Sequence, residues 1–233
     1  MNKEKSLKLH LGCGEEYLEG YVNIDFPPDE HSVMAPKADI YQDIKTLSYP
    51  ENSVDEIRNH HLFEHFSRVE ALKLLLQWRR WLKSQGGVLV IETPDFGASA
   101  RAYVFSLSRR KKMRLGRQIF GSQEAGWAYH LDFWDKGKFK FVLKKLGFKN
   151  LKFRRYRNRL AQRYPHIPFL NILGNILPES FYKKYGGHKM PSIVVTAEKD
   201  GNFALDEKAA LREILSRYLV GKEGEELLSV WLK

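Results

Sequence analysis

The sequence predicts one α/β domain, a doubly wound and mostly parallel sheet with helices on both faces. Three observations predict it. An alternating strand, Leu7-Lys8-Leu9-His10-Leu11, runs directly into the glycine turn Gly12-Cys13-Gly14. Strand-like and helix-like segments then alternate along the chain. Finally, Val88-Leu89-Val90-Ile91 is short and continuously apolar, the pattern of a strand buried on both faces. A length of 233 residues fits a single domain, 1–233, with a core of its own.

The elements follow in order. Tyr21-Val22-Asn23-Ile24-Asp25 forms a second short strand, ended by Pro27-Pro28. Residues 38–44 hold a brief extended run carrying Asp39 and Asp43, and residues 54–60 a further strand. Over 62–83 the apolar residues Phe63, Phe66, Val69, Leu72, Leu75, Leu76, Trp78 and Leu82 recur at three and four, which predicts one helix ended by Gly86-Gly87. Pro94, which has no N–H for a ladder, should stop the strand that begins at Val88. Residues 98–117 read as a very basic helix and 136–146 as a helix stopped by Gly147. Residues 148–156 and 192–198 read as two late strands. Residues 206–219 read as a helix that runs on toward the C-terminus, and 157–191, with several prolines and glycines, as an insert or flap between the last strands.

Composition narrows the partners. The formal net charge is +11, which predicts attraction to polyanions: nucleic acid, an anionic bilayer or phosphorylated sugars. Cys13 is the one cysteine, so no internal disulfide forms and a reducing compartment is expected. The first residues carry no apolar leader, and the longest greasy segment, 167–177, is too short and interrupted to span a bilayer. A cytoplasmic protein is expected.

The chemical signal is Leu-His-Leu-Gly-Cys-Gly at 9–14. Glycine here lets backbone approach a ligand where a Cβ would collide. Asp25 ends the second strand, where an acid in a doubly wound fold accepts hydrogen bonds from two ribose hydroxyls. The gap between the glycines and Asp25 is too short for an ordinary crossover helix, so the connection must be clipped. With the third glycine also missing, the pattern argues against an ordinary dinucleotide site.

These residues resemble the opening of a group of bacterial class I S-adenosylmethionine-dependent methyltransferases. Those begin with a Leu-Gly-Cys-Gly turn, followed closely by a Gly-Trp/Tyr-Val-Asn-x-Asp strand, here Gly20-Tyr21-Val22-Asn23-Ile24-Asp25. His61-Leu62-Phe63-Glu64-His65 is similar to the family's His-x-Leu-Glu-His segment. Leu82-Lys83-Ser84-Gln85-Gly86-Gly87 is similar to its Leu-Lys-Pro-Gly-Gly entry to the fifth strand, with serine in place of proline. The resemblance covers the first part of the chain well and weakens after it. It implies that the cofactor is S-adenosyl-L-methionine. Gly12, Cys13 and Gly14 would line it through backbone, Asp25 would hold the ribose, and Asp43 with the backbone of Ile44 would face the adenine. His60 and His61 would flank the methionine portion.

Methyl transfer from a sulfonium is a displacement with a good leaving group, so the protein mainly positions the acceptor. A hydroxyl acceptor also needs a base within reach, a task that suits histidine. His130 and Asp95 are the catalytic candidates. His130 can instead be a structural histidine among Trp127, Tyr129 and Trp134. His130 and Asp132 are two metal ligands without a third, so no metal site is expected. Residues 98–135 form a basic and aromatic segment on the acceptor side.

Two blocks of cations without acids, Arg109 to Lys112 and Arg154 to Arg163, point to an anionic acceptor. Three readings compete. One is a small-molecule or glycan acceptor, such as a lipid-linked saccharide of cell-surface polysaccharide synthesis. A second is RNA, held by phosphate contact and stacking on Phe153, Tyr156 and Tyr164. A third is peripheral docking on an anionic membrane through 167–173. A non-catalytic cofactor-binding or scaffold protein is the remaining alternative.

Overall fold

The computed structural model describes residues 6–31, 34–156, 190–221 and 224–233. A seven-stranded sheet forms the centre of the described residues, in the order β3-β2-β1-β4-β5-β7-β6. The strands are β1 (Lys8–Leu11), β2 (Val22–Asp25), β3 (Ile40–Tyr41), β4 (Glu56–His60), β5 (Val88–Pro94), β6 (Phe148–Tyr156) and β7 (Ser192–Lys199). The first five run parallel, while β7 is antiparallel to both β5 and β6. The chain moves outward from β1 through β2 to β3, then returns to place β4 on the other side of β1. That reversal opens a crevice at the carboxyl ends of β1 and β4, where ligands of doubly wound sheets bind.

Between β1 and β2 the chain makes only turns, as the short spacing requires. The long helix expected over 62–83 is instead two elements. A 3-10 turn spans Phe63–His65, and α1 spans Arg68–Trp81. The break is a capping box: the Ser67 hydroxyl accepts the Glu70 amide at 3.3 Å, and the Ser67 amide donates to the Glu70 carboxylate at 3.1 Å. Ser67 must be extended to do this, so the helix cannot run through it. At the other end Leu82 leaves the helix in an extended conformation, and the Lys83 amide pairs with the Val54 carbonyl. The helix is therefore over before Gly86-Gly87.

Two further expectations need correction. β5 runs through Pro94, which lies opposite Ser192. The Glu92 carbonyl faces β4, where it accepts the His61 amide, and the Asp95 amide faces β7, where it donates to Pro191. Because directions alternate along a strand, the missing N–H of Pro94 points toward β4 beyond the end of that strand, and no ladder bond is lost. The basic segment 98–117 is not one helix either. α2 (Phe96–Val104) and α3 (Arg109–Phe120) are separate, each started by its own side-chain cap, Asp95 and Ser108. Among the described residues the remaining α-helices are α4 (Lys136–Lys145), α5 (Glu207–Ser216) and α6 (Gly224–Trp231), so the helix expected at 206–219 stops early and a second follows it. The segment 157–189 lies outside the described residues, and with it the expected flap, Arg157, Arg159, Arg163, Tyr164 and the apolar run 167–173.

The core packs α1 and α4 on one face of the sheet. Trp78, Phe63, Trp134 and Phe139 are buried together, with Phe63 and Trp134 ring centres 4.7 Å apart. Burying side chains of this size stabilises a fold by about 1.5–3 kcal/mol each. This cluster seats the 63–65 turn, which carries Glu64 and His65. No helix among the described residues is long and apolar enough to cross a membrane.

Candidate cofactor and acceptor site

The glycine turn is built around left-handed backbone. Gly12 has φ 64° and Gly14 φ 55°. A Cβ on Gly12 would also lie 2.8 Å from Leu62 Cδ1, so the turn needs glycine twice over. The Gly12 and Cys13 amides both donate to the Ile24 carbonyl, at 2.8 and 3.2 Å, and lock the turn onto β2. Beside it, Asp25 Oδ2 accepts the Gly14 amide at 2.6 Å, and Oδ1 accepts the Phe26 amide at 2.7 Å. His31 Nε2 stands 3.1 Å from the same Oδ1. Burial and the neighbouring Asp25 charge push the Cys13 thiol up to about 12, so it stays protonated and packs as a small apolar group.

The facing wall comes from the end of β4. His60 Nδ1 lies 3.4 Å from Glu16. His61 adopts φ 50°, an uncommon conformation for a residue with a Cβ, and this turns its ring between two buried carboxylates. Its Nδ1 is 3.2 Å from Glu64 Oε1 and its Nε2 3.4 Å from Glu92 Oε1. Burial pulls the His61 pKa down, but the two carboxylates outweigh this and raise it to about 10. Burial likewise pushes Glu64 up, yet its hydrogen bond and charge pairing with His61 leave it below the usual carboxylate value.

A cavity of about 1420 Å³ opens between these walls. Gly12, Cys13, Gly14, Asp25, His60 and His61 all line it, so six residues expected at a binding site are brought together. Asp43 and Ile44 are not among its lining residues. The Asp43 carboxylate caps a 3-10 turn by accepting the Lys45 amide at 2.9 Å, and Ile44 is buried in the core. Their neighbour Lys45 reaches the cavity instead.

The two catalytic candidates also lie off the lining. Asp95 is buried at the start of α2, where it accepts the Ala98 amide at 3.1 Å and pairs with Arg155 at 2.8 Å. His130 Nδ1 donates to the Gln118 carbonyl at 3.1 Å, while its Nε2 faces Glu64 Oε1 at 3.9 Å. Of the aromatic neighbours expected for it, Trp134 belongs to the core, Tyr129 is exposed, and Trp127 lines the cavity. Trp127 is tied to the Glu30 carbonyl at 2.8 Å, so the loop after α3 closes over the end of β2.

His31, Glu64 and Glu92 join the site without having been singled out for it. Glu92 had a readable signal, an acid inside the apolar run that begins at Val88. His31 had none. Cations also line the cavity: Arg58 on β4, paired with Glu56 at 2.9 Å, and Lys152 and Arg154 on β6. Farther out, Phe105 and Leu107 project into solvent between α2 and α3, directly before the cations Arg109 to Lys112.

No family model and no curated protein matches the chain. Solved structures do. One is an S-adenosylmethionine-dependent methyltransferase from Archaeoglobus fulgidus, at TM-score 0.50 and 18% identity over 83% of this chain and 86% of that one. Another, from Methanosarcina mazei, scores 0.47 at 12% identity over 84% of this chain and 94% of that one. The plantazolicin methyltransferase BpumL, solved with S-adenosylhomocysteine, scores 0.47 at 16% identity over 84% and 77%. At such identity the first of these shows the fold, a class I methyltransferase architecture, and nothing of the chemistry.

Proposed function

We propose that the chain is an S-adenosylmethionine-dependent methyltransferase that acts on an anionic acceptor. The observation that carries the reading is the coupling of a glycine turn to a buried acid at the reversal point of the sheet. Gly12 allows the turn to pack against Leu62 where a Cβ would collide, and the Gly14 amide orients the Asp25 carboxylate. A carboxylate offers about four lone-pair sites. Asp25 uses three, on Gly14, Phe26 and His31, so one remains for a ribose hydroxyl and the His31 contact is exchangeable. In this reading Gly12, Cys13 and Gly14 hold the cofactor by backbone, with His60 and His61 opposite. When bound, the cofactor supplies an electrophilic methyl group on a sulfonium and a neutral leaving group. The protein's own work is to orient the acceptor and exclude water, and the apolar lining residues Trp127 and Leu131 suit that task.

Arg58, Lys152 and Arg154 favour a negatively charged acceptor. The projecting Phe105 and Leu107 beside the cations of α3 favour a lipid-linked saccharide over RNA, because apolar tips next to positive charge suit a bilayer surface. Calorimetry with S-adenosylhomocysteine tests the first claim, and absence of binding to folded wild type sinks it. Flotation with phosphatidylglycerol vesicles tests the second. Co-flotation that Phe105→Ser with Leu107→Ser abolishes supports the lipid-linked class. Protein that stays at the bottom while retaining nucleic acid through a high-salt wash favours RNA instead.

A further inference from the structure

We propose that Glu64, His65 and His130 form a binding site for a divalent transition-metal ion at the mouth of the cavity. One ligand atom from each residue lies within 4.8 Å of the others. Around an ion bonded at about 2.0–2.2 Å, ligand atoms sit roughly 3–3.5 Å apart, so side-chain rotation of an ångström or so closes the site.

Sequence spacing hides this set, because it offers His130 only Asp132 as company. The fold provides the other two. The capping box at Ser67 delays the start of α1 and leaves Glu64 and His65 on a turn, and the Leu131 amide bonds the Glu64 carbonyl at 2.9 Å. The two loops are thereby pinned backbone to backbone at the site. Gly121 holds the second loop from behind: it bridges to Tyr129, and its backbone packs where a Cβ would lie 2.2 Å from the Ala128 carbonyl.

Two independent observations point to a ligand. The first is Glu64 Oε2, which is buried and has no hydrogen-bond partner. A buried carboxylate oxygen without a partner is costly, and its side chain is only 3% exposed. The other oxygen, Oε1, lies 3.2 Å from His61 Nδ1 and 3.9 Å from His130 Nε2, so the carboxylate stands between His61 and the histidine pair. The second is the way both histidines are oriented. His65 Nδ1 is bonded to the Tyr129 carbonyl at 3.0 Å and His130 Nδ1 to the Gln118 carbonyl at 3.1 Å. A carbonyl fixes Nδ1 as the protonated nitrogen and leaves Nε2 with a free lone pair, the outer-shell arrangement of metal-binding histidines. Their rings stand 4.8 Å apart and nearly perpendicular.

Two imidazoles and one carboxylate select zinc, iron(II), cobalt(II) or nickel(II) over magnesium or calcium, which prefer all-oxygen shells. Three protein ligands leave at least one coordination position open. His65 lines the cavity, so that position faces the acceptor side and suits an oxygen of the acceptor.

The test is titration of untagged, chelator-stripped wild type with cobalt(II) chloride and with zinc chloride, without S-adenosylmethionine. Metal binding is thus scored apart from the cofactor reading, and either can fail alone. The expected result is one ion per chain, visible cobalt absorption bands and a raised melting temperature. Glu64→Gln and His130→Asn should weaken binding at least tenfold and remove the bands, whereas His60→Asn should leave them unchanged. Circular dichroism confirms that each variant is folded. A folded wild type that takes up no ion at micromolar concentration overturns the proposal, as does binding that survives in Glu64→Gln with His130→Asn.

Discussion

Asp25 Oδ2 accepts the Gly14 amide at 2.6 Å, which makes the acid at the end of β2 and the turn at the end of β1 one rigid unit. The side chain fixes the turn, and the turn fixes the side chain. A substitution at either residue therefore acts on both.

Asp25→Ala is expected to weaken S-adenosylhomocysteine by a hundredfold or more. Hydrogen bonds to a charged group contribute about 1.5–3 kcal/mol each, and in the proposed reading this change removes the ribose acceptor together with the acceptor that orders the Gly14 and Phe26 amides. Asp25→Asn keeps the shape and one acceptor oxygen, so a smaller loss is expected. Calorimetry on both variants measures the difference, and equal affinity in Asp25→Ala and wild type contradicts the assignment.

Gly121→Ala should lower stability by at least ~2 kcal/mol, since φ 88° with ψ 176° is accessible almost only to glycine and the new Cβ meets backbone. For a chain of this size each kcal/mol shifts the melting temperature by about 2–4 °C. Calorimetric melting should show a drop of roughly 4 °C or more, and unchanged melting refutes the packing argument.

Lys138 sets a pH dependence. Its ammonium pairs with Asp132 at 2.5 Å, near Asp135, Arg68 and Tyr218, and both partners are nearly buried. Burial lowers its pKa from 10.5 to about 8, against the pull of Asp132. Between those values the folded chain has released the proton and the unfolded chain has not, so the unfolded state binds more protons. Unfolding free energy then rises with pH across this window. The stability of wild type relative to Lys138→Met should grow between pH 8 and pH 10, as read by urea denaturation. A gap that narrows instead would falsify the sign.

Asp95→Ser keeps an acceptor at the N-cap of α2 and removes the pairing with Arg155. Stability should fall by no more than about 1 kcal/mol, with S-adenosylhomocysteine affinity within twofold of wild type. A large affinity loss would place Asp95 in the cofactor's surroundings.

Much of the site was readable because it lies next to its own signal in the chain. Gly12, Gly14 and Asp25 are brought together by neighbouring parallel strands, and the spacing alone excluded a crossover helix. The Glu64 cluster was not readable, because its members come from a turn and a loop that only tertiary packing brings together. Helical periodicity over 62–83 was real, yet the local cap formed by Ser67 and Glu70 overrode it at the N-terminal end. Asp43 shows the converse. Its position after an extended run suits a ligand, and its carboxylate is occupied by the next turn.

The two margins of the sheet have a consequence for self-association. β3 is only two residues long, too short a template for an incoming strand. Among the described residues the opposite margin is β6, which carries Lys149, Lys152, Arg154 and Arg155 and no acid of its own, although Lys149 pairs with Asp200 and Arg155 with Asp95. A second copy approaching that margin of the described sheet would set Lys152 and Arg154 against their own counterparts, so pairing of strands is opposed at one side by geometry and at the other by repulsion.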